Sequence, residues 1–415
     1  MFALVGTVVD AEKVLRNHAV LVDGKTISAV LSADELRSLG VDRIYGGDGY
    51  LVIPGLVNAH THVAMAKFRG LGDDLPTEKW LEEIIWPMER EWTAEEVGRW
   101  ALLGTAEALS NGSTVINDHY FFADGIAKAA ERVGIRAFVG QTVMDLVDFP
   151  LAEPGEGFRF FERWDGRSEL VTPTLAPHAT NTVSFELMEE IAEFSRDKNA
   201  LIHIHVAQSR EEVRSLRKRY GFGPVEYLKR SGALGGRLVG VHGVYLQGEE
   251  LREYGMSGAT LVHCPTSNVR LEGRTVDLEP FVSAGGNVAL ANDSPNPVGI
   301  MDMFLEMRAA SLVGSFLKGG AEPIGSRDIF RWATVGGAKA LGIKAGLIKS
   351  GYLADLVLIN AKKPQFLPGK DPYSHLVHSA RGSDVEMVVV GGEIVYRNGI
   401  FVKLGLDWSG LMEKF

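Results

Sequence analysis

His60 and His62 stand two residues apart, just after the apolar run Leu51–Val57. Residues two apart on a strand point to the same side, so both imidazoles can reach one metal ion. Alone, such a pair is more often two polar residues in a turn. This one follows a run with the length of a strand buried on both faces and precedes the Gly-containing segment MAKFRGLGDDL. Of the eleven histidines in the chain, His60, His62, His119, His178, His203, His205, His242 and His263 lie at or beside the ends of candidate strands, as do Gln141 and Asp293. Each alone would more often be a hydrogen-bonded structural histidine, but chance does not gather so many at one kind of position.

These ends belong to an alternating chain. Candidate strands are Leu51–Asn58, Ser113–His119, Ile135–Val143, Leu170–His178, Ala200–Val206, Arg237–His242, Thr260–Cys264 and Asn287–Asp293, with helical segments between most of them. Eight strands with interposed helices predict an α/β protein built on a (β/α)8 TIM-like barrel, whose chemistry sits at the C-terminal strand ends. No Gly-x-Gly-x-x-Gly turn supports a doubly wound sheet instead. Asp74–Trp92 reads as helical, and Thr93 with Glu96 as a capping box that opens a helix through Leu109. The two ends of the chain are β-rich, with hairpin signals at Asp23-Gly24 and Gly391-Gly392. The expected division is a small β-sandwich from both termini (1–54 and 346–415) beside a barrel (55–345).

The 415 residues are 46% hydrophobic and 23% charged, ordinary for a globular enzyme. A formal net charge of -10 argues against nucleic acid and anionic membrane as partners. The single cysteine, Cys264, excludes an intrachain disulfide and a cysteine-based zinc cage. Neither a signal peptide nor a membrane span is expected, and the cytoplasm is the expected location.

In order, PGLVNAHTH, TLAPHAT, IHIHVAQ, VGVHGVYL, HCPTSNVRL and NDSP, with AGLIKSGYLADLVLI and VVVGGEIVYRNG near the C-terminus, resemble the amidohydrolase superfamily. Within it the chain is most similar to the branch of 5-methylthioadenosine/S-adenosylhomocysteine deaminases and related chlorohydrolases. The resemblance implies one divalent metal ion, zinc with iron as the alternative, held by His60, His62, His205 and Asp293. It implies that His242 hydrogen-bonds the attacking water and polarises the reacting centre, while Asp293 takes the water's proton. Glu89 falls where nucleoside-deaminating relatives hold the ribose hydroxyls, against a bland reading as a solvated helix carboxylate. Trp80 and His178 match other substrate-pocket positions. His178 also stands where two-metal relatives carry a carboxylated lysine, which favours one ion. The implied substrate is a small amino-substituted heterocycle such as a purine nucleoside, and dimers or larger assemblies are compatible with the family.

Three departures from the family pattern concern chemistry. The glutamate that shuttles a proton to the ring nitrogen is here Gln208, whose amide donates a hydrogen bond but cannot titrate. Glu211 and Glu212 lie one helical turn on and are candidates to substitute for it, though they are expected to be solvated. Gln141 replaces an arginine that holds an amino-acid carboxylate, and Pro297 replaces a serine in the loop after Asp293. An intact metal set with an altered substrate site predicts a hydrolase of changed substrate: a deaminase, a hydrolase of another C–N, C–Cl or ring-amide bond, or, in the limit, a metal-holding binding protein without catalysis.

Overall fold

The computed structural model describes residues 1–72, 74–75, 79–320 and 323–415. Eight parallel strands form the barrel in chain order: Leu56–Thr61, Ser113–Tyr120, Arg136–Val143, Val171–Pro177, Ile202–Val206, Leu238–His242, Thr260–His263 and Asn287–Leu290. The last returns to the first through a bridge between Thr61 and Asp293, where the Asp293 N–H donates to the His60 carbonyl at 3.1 Å. Strands two to seven are buried along almost their whole length. That explains their continuous apolar character, because helices cover the outside of a parallel barrel.

The expected helix boundaries follow from local chemistry. The Thr93 side chain accepts from the Glu96 N–H, and Glu96 returns the bond to the Thr93 N–H, opening the helix Ala94–Ser110. The helix expected over Asp74–Trp92 is shorter, a wide turn over Trp80–Ile85 leading into one α-turn, Trp86–Glu89; its residues 76–78 lie outside the described ones.

The terminal strands form one separate eight-stranded mixed sheet. Its order is Ile400–Phe401, Glu393–Arg397, Val385–Val390, Leu356–Asn360, Ile44–Pro54, Phe2–Val9, Val14–Asp23 and Thr26–Ser32. N- and C-terminal segments meet where Ile44–Pro54 pairs antiparallel with Leu356–Asn360. An apolar core including Leu4, Val20, Val52, Leu356 and Met387 packs on one side of it.

One expectation is corrected. Leu51–Asn58 is not a single barrel strand: Leu51–Pro54 completes a strand of the terminal sheet, and the barrel begins at Leu56. Gly55 makes the crossing. Its N–H donates to the Asp355 carbonyl at 2.8 Å, and a Cβ there would lie 1.9 Å from Thr114 Oγ1. Only glycine lets the chain pass so close.

Candidate active site

The C-terminal strand ends bring a cluster of imidazoles together. His60 and His62 leave the first strand, His205 the fifth and His242 the sixth, while Asp293 follows the eighth. His242 (φ 76°) and Asp293 (φ 68°) hold left-handed backbone conformations. Non-glycine residues keep such angles only where the surroundings fix them, so both side chains are aimed by the fold. Asp293 Oδ1 lies 3.5 Å from Nε2 of both His60 and His62. His62 Nε2 is 3.3 Å from His205 Nε2. Among the described residues, the ligand atoms of His60, His205 and His242 lie within 4.8 Å of one another, as do those of His60, His62 and Asp293.

The bonds behind the rings set their tautomers. His62 Nδ1 lies 2.5 Å from the His119 carbonyl and His205 Nδ1 lies 2.6 Å from the His178 carbonyl. A carbonyl only accepts, so each Nδ1 carries the proton and each Nε2 turns a lone pair toward the cluster. His242 Nδ1 donates to Asn268 Oδ1 at 2.8 Å, and the Asn268 amide is oriented by donating to Thr275 Oγ1 at 3.3 Å. His60 Nδ1 meets His203 Nε2 at 2.8 Å. Nε2 of His60 and of His242 is buried without a hydrogen-bond partner among the described residues. Burial, with neighbouring imidazoles adding to it at His60 and His205, pushes the pKa of all four rings down. They are therefore neutral near pH 7. Unprotonated nitrogens converging on a carboxylate form a donor set that fits a divalent ion of the zinc or iron type.

The cluster opens into a cleft lined by His62, His119, His178, His205, Gln208 and Asp293, with Trp80 and Glu89 contributed by the segment after the first strand. Glu89 is not a solvated helix carboxylate. It is 5% exposed, and burial raises its pKa to about 8. Its Oε1 accepts from the Tyr120 hydroxyl at 2.5 Å. His178 Nδ1 pairs with Thr182 Oγ1 at 3.0 Å. Trp80 Nε1 is buried and has no hydrogen-bond partner among the described residues.

Gln141 is not brought to this cleft. Its Oε1 accepts from the Ala123 N–H at 3.1 Å and its Nε2 donates to the Leu151 carbonyl at 3.0 Å, so the amide fastens two loops. Glu212 is not solvated but 3% exposed. Its carboxylate accepts from the Ala207 and Gln208 N–H groups, both at 2.8 Å, and from Thr180 Oγ1 at 2.5 Å. It clamps the loop that presents Gln208 and does not line the cleft. Ser267 and Asn268, in the stretch HCPTSNVRL, brace two residues of the cluster. Ser267 donates to Asp293 Oδ2 and Asn268 holds His242. The sequence carried a signal for His203, which shares a strand face with His205, marked Glu212 only by its spacing from Gln208, and carried none for Tyr120.

Residues 51–395 match the amidohydrolase family. The chain is 37% identical over 414 residues to a 5-methylthioadenosine/S-adenosylhomocysteine deaminase of Pyrococcus furiosus, covering 99% of this chain and 96% of that protein. It is 37% identical over 388 residues to a 5′-deoxyadenosine deaminase of Methanothermobacter thermautotrophicus, covering 93% and 90%. Among solved structures, an adenosine deaminase from Xanthomonas campestris with bound zinc superposes with a TM-score of 0.93 at 30% identity, over 99% of this chain and 96% of that one. An atrazine chlorohydrolase from Arthrobacter aurescens shares the fold (TM-score 0.91) at 21% identity, over 100% and 98%. With a family match across most of its length and relatives of this identity over nearly all of it, the chain belongs to the amidohydrolase family.

Proposed function

We propose that this protein is a deaminase of adenosine-type nucleosides that works with a single divalent ion, zinc in preference to iron, held by His60, His62, His205 and Asp293. The observation that carries this reading is the convergence of neutral imidazoles on Asp293 in a cleft that also presents Glu89. Relatives named as deaminases of methylthioadenosine, S-adenosylhomocysteine and 5′-deoxyadenosine support the substrate class. The acidic charge and single buried cysteine fit a cytoplasmic enzyme, and no described helix is long and apolar enough to cross a membrane.

A bound ion would supply Lewis-acid activation, lowering the pKa of the attacking water toward neutrality. The remaining work falls to the chain. His242, fixed by Asn268, offers an unprotonated Nε2 that orients the water by accepting a hydrogen bond. Asp293, steadied by Ser267, takes the proton released as water adds to the ring carbon and returns it to the departing amine, so that ammonia leaves. Glu89 accepts the sugar hydroxyls, and Trp80 and His178 border the bound nucleoside. Gln208 donates an amide hydrogen bond to the ring nitrogen beside the reacting carbon.

Gln208 also motivates a second reading. With Glu212 locked under its loop, no titrating acid stands at the fifth strand end. Hydrolysis at a centre with a better leaving group, or of a ring amide, would need none. Ammonia release from 5′-deoxyadenosine, methylthioadenosine and S-adenosylhomocysteine, against chloride release from chlorinated heterocycles, separates the two. Turnover of the nucleosides, abolished by a chelator, is expected; turnover of the chlorinated panel alone would overturn the deaminase reading.

A further inference from the structure

Glu89 is tied to the barrel through Tyr120. Trp92 Nε1 donates to the Tyr120 hydroxyl oxygen at 3.1 Å, and that hydroxyl lies 2.5 Å from Glu89 Oε1. An indole N–H only donates, so it occupies a lone pair of the phenol oxygen and directs the phenol proton at the carboxylate. All three side chains are buried. Trp92 is itself held, with its ring against Phe68 at 5.2 Å and Lys67 Nζ 4.4 Å above it. Tyr120 ends the second barrel strand, and its ring lies 5.8 Å from that of His62. The chain Trp92, Tyr120, Glu89 therefore joins the segment over the cleft to the strand beside the candidate metal centre.

We propose that Tyr120 is a positioning residue: its hydroxyl, oriented by Trp92, holds one oxygen of Glu89 and leaves the other for the vicinal hydroxyls of a ribose, which makes the cleft selective for ribonucleosides over nucleosides lacking those hydroxyls. The inference rests on the proposed reading of Glu89 as the sugar-binding carboxylate. The Tyr120 bond is the single side-chain hydrogen bond found on Glu89 among the described residues. It limits rotation of the carboxylate, and it opposes the upward push of burial on the carboxyl pKa. The free oxygen of the anchored carboxyl meets a diol in one geometry, so losing its anchor weakens diol recognition in particular.

The test compares wild type, Tyr120→Phe, Glu89→Gln and the double variant on 5′-deoxyadenosine and on 2′,3′-dideoxyadenosine at matched metal content. Tyr120→Phe is expected to lower kcat/KM for 5′-deoxyadenosine about tenfold or more, mainly through KM, and for the dideoxy nucleoside by less than about twofold. In the Glu89→Gln background the same change should add little, because its effect travels through Glu89. Trp92→Phe, which frees the phenol to rotate, should reproduce a smaller loss of the same kind. Equal losses on both nucleosides, or no loss on either, would overturn this inference while leaving the deaminase reading intact. If wild type deaminates neither nucleoside, both fall together.

Discussion

Replacing Gln208 with glutamate puts a carboxyl into the cleft beside His205 and Asp293 with almost no change in size. The loop should survive, because the backbone N–H of residue 208, not its side chain, donates to Glu212 at 2.8 Å. Two opposing effects then act on the new carboxyl: desolvation raises its pKa, and a nearby cation lowers it. The first is visible in this structure, where burial lifts Glu89 and Glu306 to about 8. Position 208 is only half-buried, so its upward push is smaller. A carboxyl held between these effects is partly protonated near neutral pH and can deliver a proton to a ring nitrogen. General-acid catalysis is worth about 10²–10⁴-fold when fully developed. For partial protonation the expected gain in adenosine-type deamination is at least about tenfold, or ~1.4 kcal/mol of barrier. The assay is the initial rate of ammonia release from 5′-deoxyadenosine, wild type against Gln208→Glu, with bound metal measured in both. Retained metal and unchanged rates would refute the reasoning, since residue 208 would then lie outside the chemistry.

Other consequences can be measured separately. His205→Ala and Asp293→Ala should each lose the ion, read by metal analysis of purified protein; full retention in both would contradict the ligand assignment. Glu212→Ala removes an acceptor shared by two backbone N–H groups and a threonine hydroxyl. It should cost roughly 2–4 kcal/mol of stability in urea unfolding, and a cost below about 0.5 kcal/mol would mean that the loop holds without its clamp. Glu89 binds its proton more tightly folded than unfolded, its pKa rising from 4.5 to about 8 by burial. Its contribution to stability is therefore full below about pH 4.5 and lost as pH climbs through about 8. Relative to wild type, Glu89→Gln should gain roughly 1–4 kcal/mol between about pH 5 and pH 8, and a difference independent of pH would contradict this.

The barrel was legible because its signals are local and repeated: apolar runs the length of a buried strand, most of them ending at a histidine or aspartate, with caps such as Thr93 and Glu96 between them. The crossing at Gly55 was hidden, since an apolar run does not say that its halves serve different sheets; only the approach to Thr114 reveals it. Gln141 and Glu212 were misplaced for a related reason. Whether a polar side chain turns to the cleft or to nearby backbone groups depends on loops distant in sequence, here those presenting Leu151 and Thr180. Tyr120 went unread because its role comes entirely from partners on another segment.

The most direct measurement is a titration of metal-free protein with Zn2+, following both bound ion per chain and ammonia release from 5′-deoxyadenosine. With one ion held by His60, His62, His205 and Asp293, both signals should rise together and saturate at about one equivalent. Saturation of activity at two equivalents, or ammonia release already complete before any ion is added, would contradict a single metal centre as the seat of the reaction.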